Sequence, residues 1–514
     1  MKRNILNVGL VGCLVASSLM IGGCDNNFDD YNTNPNESTI VTSSMLATNL
    51  ILEIMEEHGT DKDFMRDDML NKYIAWTEEN DIDYAFNKLG RQSFSSMRVL
   101  YNVDKMVNFA ATDGLKKSYE GLGHVMRAYK FFDMTMRLGD IPYSEAMQGE
   151  AGVEYPKYDT QKEVFVGILN ELEEADQLFQ NGTDFEGDPV YGGSCAKWRK
   201  AANVLELKVL INLYKKTSES DLKVKERFQS IVSNKPIFES NADNLQLVHS
   251  DNTGQKYPFY KEGNNYLAFI QMSSEVVDSL KKFGDRRLFY YAKPTKNAVT
   301  QGLAVTDWNS YNGVEPTMIF SDIQAAVQSG SVSQPNARYY ELPVSEPTYL
   351  LSYAEMKFIL AEAVVRGLIN GNAKSYYEDG IRASMTFTAD NTPDNVEYNH
   401  GMKITSDYIN TYLQGSGVVF GNSSERQIEQ IIEQKYLSTF FQIPFNAFYE
   451  YRRTGYPVFP INPKSNRNND TSKMPVRWMY SQDEYDYNTE NVNAAVKSQY
   501  GGSDDENQIM WLLK

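Results

Sequence analysis

From Ser352 to Met385 the chain carries two apolar stripes at helical spacing with a glycine turn between them. The first predicted helix carries Tyr353, Met356, Phe358, Ile359, Ala361, Glu362, Ala363 and Val364. Gly367 and Gly371 then turn the chain, and Ala373, Tyr376, Tyr377, Gly380, Ile381 and Ala383 form the second stripe. Small residues near the turn and in mid-helix let the two helices approach closely. One such hairpin buries little by itself, so hairpins of this kind stack on neighbours, as in tetratricopeptide-like repeats. The full repeat consensus is absent, and a generic helical bundle is the alternative reading. The same periodicity recurs over Ser43–Glu57, Phe64–Thr77, Leu115–Leu138 and Trp198–Leu213. Thr160 followed by Glu163 predicts a capping box at the head of a helix bearing Val164, Phe165, Ile168, Leu169 and Leu172. The expected class is therefore mainly α, a tetratricopeptide-like helical scaffold with degenerate repeats and long insertions.

Two stretches break the rhythm. Lys235–Glu346 mixes Gly, Asn, Pro, Thr and aromatics, with only short helix candidates such as Ser273–Phe283, and Pro457–Lys514 is rich in Asn, Pro and Tyr. Long irregular stretches in a protein of this size are usually functional surface. The composition points the same way. The 34 tyrosines outnumber 25 phenylalanines and 5 tryptophans, and tyrosine joins an apolar ring to a polar tip. With 41% hydrophobic residues in 514, the chain has enough apolar surface for a large core.

The first residues read as an address. Lys2 and Arg3 precede an uncharged apolar run from Val8 to Ile21, too short for a comfortable membrane span and suited to a secretory leader. The run ends in Leu19-Met20-Ile21-Gly22-Gly23-Cys24, which resembles a bacterial lipobox, whose cysteine takes a diacylglyceryl group and becomes the new N-terminus. Of the three cysteines, Cys13 leaves with the leader and Cys24 takes lipid. Cys195 is then left without an intrachain disulfide partner. Two or three acyl chains hold a protein on a membrane durably, at about 0.8 kcal/mol per buried methylene. The expected organisation is a leader over residues 1–23, a lipidated tether over 24–42 and one domain over 43–514. Its helical scaffold spans mainly 43–234 and 347–456, and its loop-rich, ligand-facing portions span 235–346 and 457–514.

Charge and motif content exclude several classes. Loss of Lys2 and Arg3 leaves 48 basic residues of the original 50 against 68 acidic ones, a net charge of −20. A phosphate-backbone binder needs the opposite sign, so nucleic acid is not an expected partner. Asp25, Asn27 and Asp29 superficially resemble the start of a calcium loop. Asp30 stands where that loop needs glycine, however, and Asn36 stands where it needs a closing glutamate. No metal and no cofactor is expected. His58, His124, His249 and His400 are scattered outside any HExxH motif. There is no GxSxG elbow and no phosphate-binding glycine loop. The chain is not expected to be an enzyme, although acid/base carboxylate pairs at glycosidase spacing cannot be sought in sequence alone.

Several motifs then resemble one family in order. Phe28-Asp29-Asp30-Tyr31-Asn32-Thr33-Asn34-Pro35-Asn36 follows the lipobox, and Leu138-Gly139-Asp140-Ile141-Pro142-Tyr143-Ser144-Glu145-Ala146 ends a helix. Pro156-Lys157-Tyr158-Asp159-Thr160-Gln161 and Lys197-Trp198-Arg199-Lys200-Ala201-Ala202-Asn203 open the next ones. Asp285-Arg286-Arg287-Leu288, Ala361-Glu362-Ala363, Gln434-Lys435-Tyr436, Arg452-Arg453-Thr454-Gly455-Tyr456-Pro457, Pro475-Val476-Arg477 and Asn488-Thr489-Glu490-Asn491-Val492 follow. Across essentially the whole mature chain they resemble the SusD/RagB family of Bacteroidetes nutrient-binding lipoproteins. Arg286, Phe448 and Ser481 depart from its usual proline, tryptophan and proline. Most of these motifs read as scaffold: Gly139-Asp140-Ile141-Pro142 as a helix stop, and Arg452-Arg453 as partners of buried carboxylates or carbonyls. The resemblance implies a SusD-like fold, in which a tetratricopeptide-like half carries a loop-rich half with the ligand site. It also implies an outer-membrane, outward-facing lipoprotein that captures ligand over a SusC-like TonB-dependent transporter and acts as its lid.

A sugar's C–H face packs on Trp or Tyr while its hydroxyls reach Asn, Asp and Gln. Two segments have that composition. One is Trp76–Tyr84, with Trp76, Asn80 and Tyr84 as candidate contacts. The other is Asp307–Gly313, with Trp308, Asn309 and Tyr311. Tyr257, Phe259 and Tyr260 are weaker candidates, and Trp198 reads as core. The expected function is oligosaccharide or polysaccharide capture for delivery to that transporter. A peptide binder in the same kind of complex is the alternative, and an anchored glycoside hydrolase the third reading.

Overall fold

The computed structural model describes residues 41–55, 63–80, 82–262 and 266–514. The leader, Cys24, the tether up to residue 40, and Asp81 lie outside the described residues. The stretch Ser43–Lys514 forms a single contact unit. Its main helices are α1 Ser43–Met55, α2 Asp113–Leu138, α3 Gln161–Asn181, α4 Cys195–Asn212, α5 Val224–Asn234 and α6 Ser274–Phe283. They continue with α7 Tyr353–Val365, α8 Ala373–Asp390, α9 Ser424–Ser438, α10 Asn446–Thr454, α11 Gln482–Tyr487 and α12 Thr489–Tyr500. Antiparallel neighbours α2, α3 and α4 pack in sequence, α7 pairs with α8, and α7 also lies against α4 and α9. Stacked hairpins thus form the scaffold.

Local signals set these elements. The capping box at α3 is present: Thr160 Oγ1 accepts from the Glu163 N–H, and the Thr160 N–H donates to Glu163 Oε2 at 2.9 Å. The stripe behind it is fully buried, and each such side chain stabilises the fold by about 1.5–3 kcal/mol. Helix α2 stops at Gly139, whose φ is +90°. A side chain there would also collide, because a Cβ would lie 2.4 Å from Tyr500 Oη. In the α7–α8 hairpin a Cβ on Gly380 would come within 2.7 Å of the Phe358 ring, so glycine sets the helix spacing.

The arginine motif is structural, as expected. Arg453 is buried and forms a bidentate pair with Glu362, both N···O distances being 2.5 Å; it also pairs with Glu450. Lys435 bridges Glu450 and Glu355 at 2.9 and 3.3 Å, and Lys208 reaches Glu355 at 3.1 Å. Arg452 donates to the Val476 carbonyl at 2.9 Å. In the Asp285–Leu288 motif, Arg287 is fully buried on Asp285 at 2.6 Å, while Arg286 stacks over Tyr408.

Among the described residues, three two-stranded ladders tie distant segments together. β1 Ile74–Trp76, β2 Arg91–Gln92, β3 Leu245–Leu247, β4 Ile270–Met272, β5 Thr348–Leu351 and β6 Met479–Tyr480 pair as β1–β4 and β3–β5, antiparallel, and β2–β6, parallel. β1 corrects the helix expected over Phe64–Thr77. The helix ends at Leu70, Lys72 turns the chain with φ +59°, and Ile74 pairs with Met272. A strand buried on both faces presents a continuous apolar run, which periodicity does not separate from a helix. The tail likewise holds α11 and α12, where the sequence reads as irregular.

Candidate functional site

The Asp307–Gly313 loop is built from its own polar groups. Asp307 caps a single turn over Trp308–Ser310 by accepting from the Asn309 N–H at 2.9 Å. Ser310 donates to the Ala304 carbonyl, and Tyr311 to the Val305 carbonyl, both at 2.7 Å. Phe289 takes Trp308 and Tyr311 edge-on, with ring centroids 4.8 and 5.1 Å away. Trp308 is left half-buried on a fixed support, and Asn309 is exposed. Among the described residues neither the Trp308 indole N–H nor the Asn309 amide has a hydrogen-bond partner. A rigid ring with a free donor beside a free amide can stack on a sugar face and bond its hydroxyls.

Tyr311 corrects the expectation for its position. It is fully buried beneath the loop, with its hydroxyl 2.8 Å from His400 Nδ1. Burial pushes His400 down to about 4, against a bond to the Phe289 carbonyl, so its ring is neutral at neutral pH. Tyr311 therefore shapes the loop and presents no face to a ligand.

The Trp76–Tyr84 segment is corrected more extensively. Trp76 is 1% exposed within β1, packed on Phe269, and its indole N–H donates to the Asn80 carbonyl at 3.2 Å. The Tyr84 ring is held beside Phe445 and Trp478, and its hydroxyl accepts from the Trp478 indole at 2.8 Å. Only Asn80 of this trio is exposed. Tyr257 and Phe259 are also core, Tyr260 is half-buried under Lys256, and Trp198 is fully buried. The structure thus keeps Trp308 and Asn309 together at the surface and shows no contact joining them to Asn80.

Among the described residues, clefts open elsewhere. One of about 620 Å³ lies between α1 and the loop bearing Val248, His249 and Lys256. One of about 580 Å³ lies at the end of α10, lined by Tyr214, Arg366, Tyr456 and Val458. The third, of about 360 Å³, is lined by Phe94, Met97, Arg98, Tyr101, Asp483 and Glu484 among others. Trp308 lines none of these three. No local pattern marks Phe94 or Tyr101, and the tyrosine excess bears on Tyr101 alone. Among the described residues no cluster of three or more His, Cys, Asp or Glu could hold a metal ion, and no helix is long and apolar enough to cross a membrane.

The molecule has close relatives. Residues 35–481 match the family model described as starch-binding associating with outer membrane. A SusD homologue from Bacteroides fragilis NCTC 9343 superposes with a TM-score of 0.89 at 46% identity, over 92% of this chain and 100% of its own. A second SusD homologue from the same strain gives 0.81 at 36% identity, with the same coverage. An outer-membrane protein of Bacteroides vulgatus ATCC 8482, whose description concerns nutrient binding, gives 0.83 at 35%, again over 92% and 100%. No curated protein matches. The helical, tetratricopeptide-like architecture, the order of the motifs and these matches converge: the chain belongs to the SusD-like family, a nutrient-binding family associated with the outer membrane.

Proposed function

We propose that the protein captures oligosaccharide or polysaccharide outside the cell and delivers it to a SusC-like, TonB-dependent outer-membrane transporter, over which it acts as a lid. Membership of a family described as starch-binding carries this reading. The Trp308–Asn309 pair supports it, as a supported ring with a free donor beside an exposed amide. The lipobox-like run before Cys24 supports a lipid anchor facing the exterior. Such a tether raises the local concentration of the binder at the transporter mouth, and stacked hairpins offer it a broad docking face. The role is binding without catalysis.

The test has two arms. The mature chain is titrated against soluble starch, other polysaccharides and oligopeptides while product formation is followed. Saturable binding to one glycan class without turnover is expected. Binding to peptides alone replaces the ligand class, and multiple product molecules per protein overturn the non-enzymatic role. In cells fed labelled palmitate, the wild-type chain is expected to carry label that a Cys24→Ala variant lacks; equal labelling would contradict the anchor.

A further inference from the structure

The 360 Å³ cleft is assembled from three segments distant in sequence: the turn Ser95–Asn102, the loop after α2, and the start of α11. Its size falls within the range of small-ligand sites. Phe94, buried Met97 and Pro142 supply apolar surface. The Phe94 ring meets Tyr158 edge-on at 6.4 Å, and Tyr158 meets the fully buried Tyr480 edge-on at 5.4 Å, so the floor is braced to the core. Tyr158 also donates to Glu484 Oε2 at 2.7 Å, which fixes that carboxylate at the wall.

The rim has the opposite character. Tyr101 is 57% exposed although it is a large aromatic. Arg98 and Asp483 are exposed as well. Among the described residues the Arg98 guanidinium, the Tyr101 hydroxyl and the Asp483 carboxylate have no hydrogen-bond or ion-pair partner. Met147, in the wall, holds a left-handed φ of +63° without being glycine. Backbone held in that region by a non-glycine residue concentrates at ligand sites. An apolar floor ringed by free donors and acceptors of both charge signs suits an uncharged, hydroxyl-rich ring.

We propose that this cleft is a second glycan subsite, separate from the Trp308 loop, that takes one or two neutral hexose units with Phe94 and Tyr101 against the sugar face and Arg98 and Asp483 on its hydroxyls. The inference rests on the glycan-binding reading of the chain. Two sites on one protein would hold a long strand more tightly than either alone.

The test uses the mature full chain and hexasaccharides of maltose, cellobiose, laminaribiose and chitobiose type, titrated by calorimetry. Wild-type protein is expected to bind two molecules of at least one hexasaccharide per chain. Tyr101→Ala and Asp483→Asn, both at exposed positions, are each expected to reduce this to one, and so is Trp308→Ala. Tyr101→Ala is also expected to weaken the matching long polysaccharide about tenfold. Unchanged circular dichroism would show that the variants fold. Wild-type binding to a single site that Trp308→Ala removes and Tyr101→Ala leaves intact would overturn the second subsite and leave the first reading standing. No binding of any of the four probes would overturn both.

Discussion

Trp198 in α4 and Trp308 in the insertion have the same side chain in opposite settings. Trp198 is fully buried; its indole N–H donates to Asp188 Oδ2 at 2.8 Å, and Phe179 and Tyr191 enclose its ring. Trp308 is packed against Phe289 in a T-shaped contact and is only half-buried. Helices α7, α9 and α10 turn charged groups inward and bury Arg453, Glu362, Lys435 and Glu355 together. The inserted loop spends its polar side chains on holding its own backbone and leaves a ring and an amide free. A binder of this kind separates the two tasks. Substitutions in this buried charged network should therefore be read in stability, and substitutions on the loop in affinity.

The largest expected effect is in the scaffold. Glu362→Gln removes the carboxylate facing the buried Arg453 and should cost about 3–5 kcal/mol in urea unfolding. A loss below about 1 kcal/mol would show that the pair is not isolated from water. Next, Gly380→Ala drives a methyl into the Phe358 ring and should cost about 1–3 kcal/mol, with no change in glycan affinity. A change in affinity there would break the separation of tasks.

Protonation gives a third comparison. Burial lowers both His249 and His400 to about 4. His124 is raised: burial opposes its charge, but the contacts with Glu171 and Glu174 outweigh that penalty. Histidine imidazole resonances should show His124 titrating above the ordinary value of ~6.5, with His249 and His400 well below it. As pH falls from about 6.5 toward 4, the unfolded chain takes up protons at His249 and His400 that the folded chain refuses. These two groups therefore remove stability as the solution is acidified, whereas His124 contributes stability that fades as pH rises through its elevated value. A His400 midpoint near 6.5 would mean that the floor of the Trp308 loop is open to water. The smallest stability effect is expected at Asn309→Ala, within about 0.5 kcal/mol of wild type. That variant should nonetheless lose roughly 1 kcal/mol of glycan binding, or about fivefold.

What the sequence disclosed follows from how local each cause is. The Thr160–Glu163 box, the Gly139 stop and the α7–α8 hairpin depend on neighbours within a few residues, and they lie where the pattern places them. Arg452 and Arg453 were legible as buried cations, but the choice of Glu362 and of the Val476 carbonyl was not, because one partner arrives from another helix and the other from the irregular tail. Trp76 was misread because β1 pairs with β4 along its edge and is buried on both faces, so its side chain packs in the core. Helix α12 was missed because it buries only Val492, Ala495, Val496 and Tyr500, a narrow stripe in an Asn- and Tyr-rich tail. The Phe94–Tyr101 cleft depends on bringing residues 481–484 to residues 93–101 through the β2–β6 ladder, which no local pattern encodes.

Glycan binding by the aromatic Trp308 loop turns on one side chain. Wild-type and Trp308→Ala mature chains, matched for unfolding midpoint, are titrated with the polysaccharide that the wild type binds. Affinity is expected to fall at least tenfold with the fold intact. Equal affinity in the two proteins would contradict that role and remove the Trp308 loop from the binding surface.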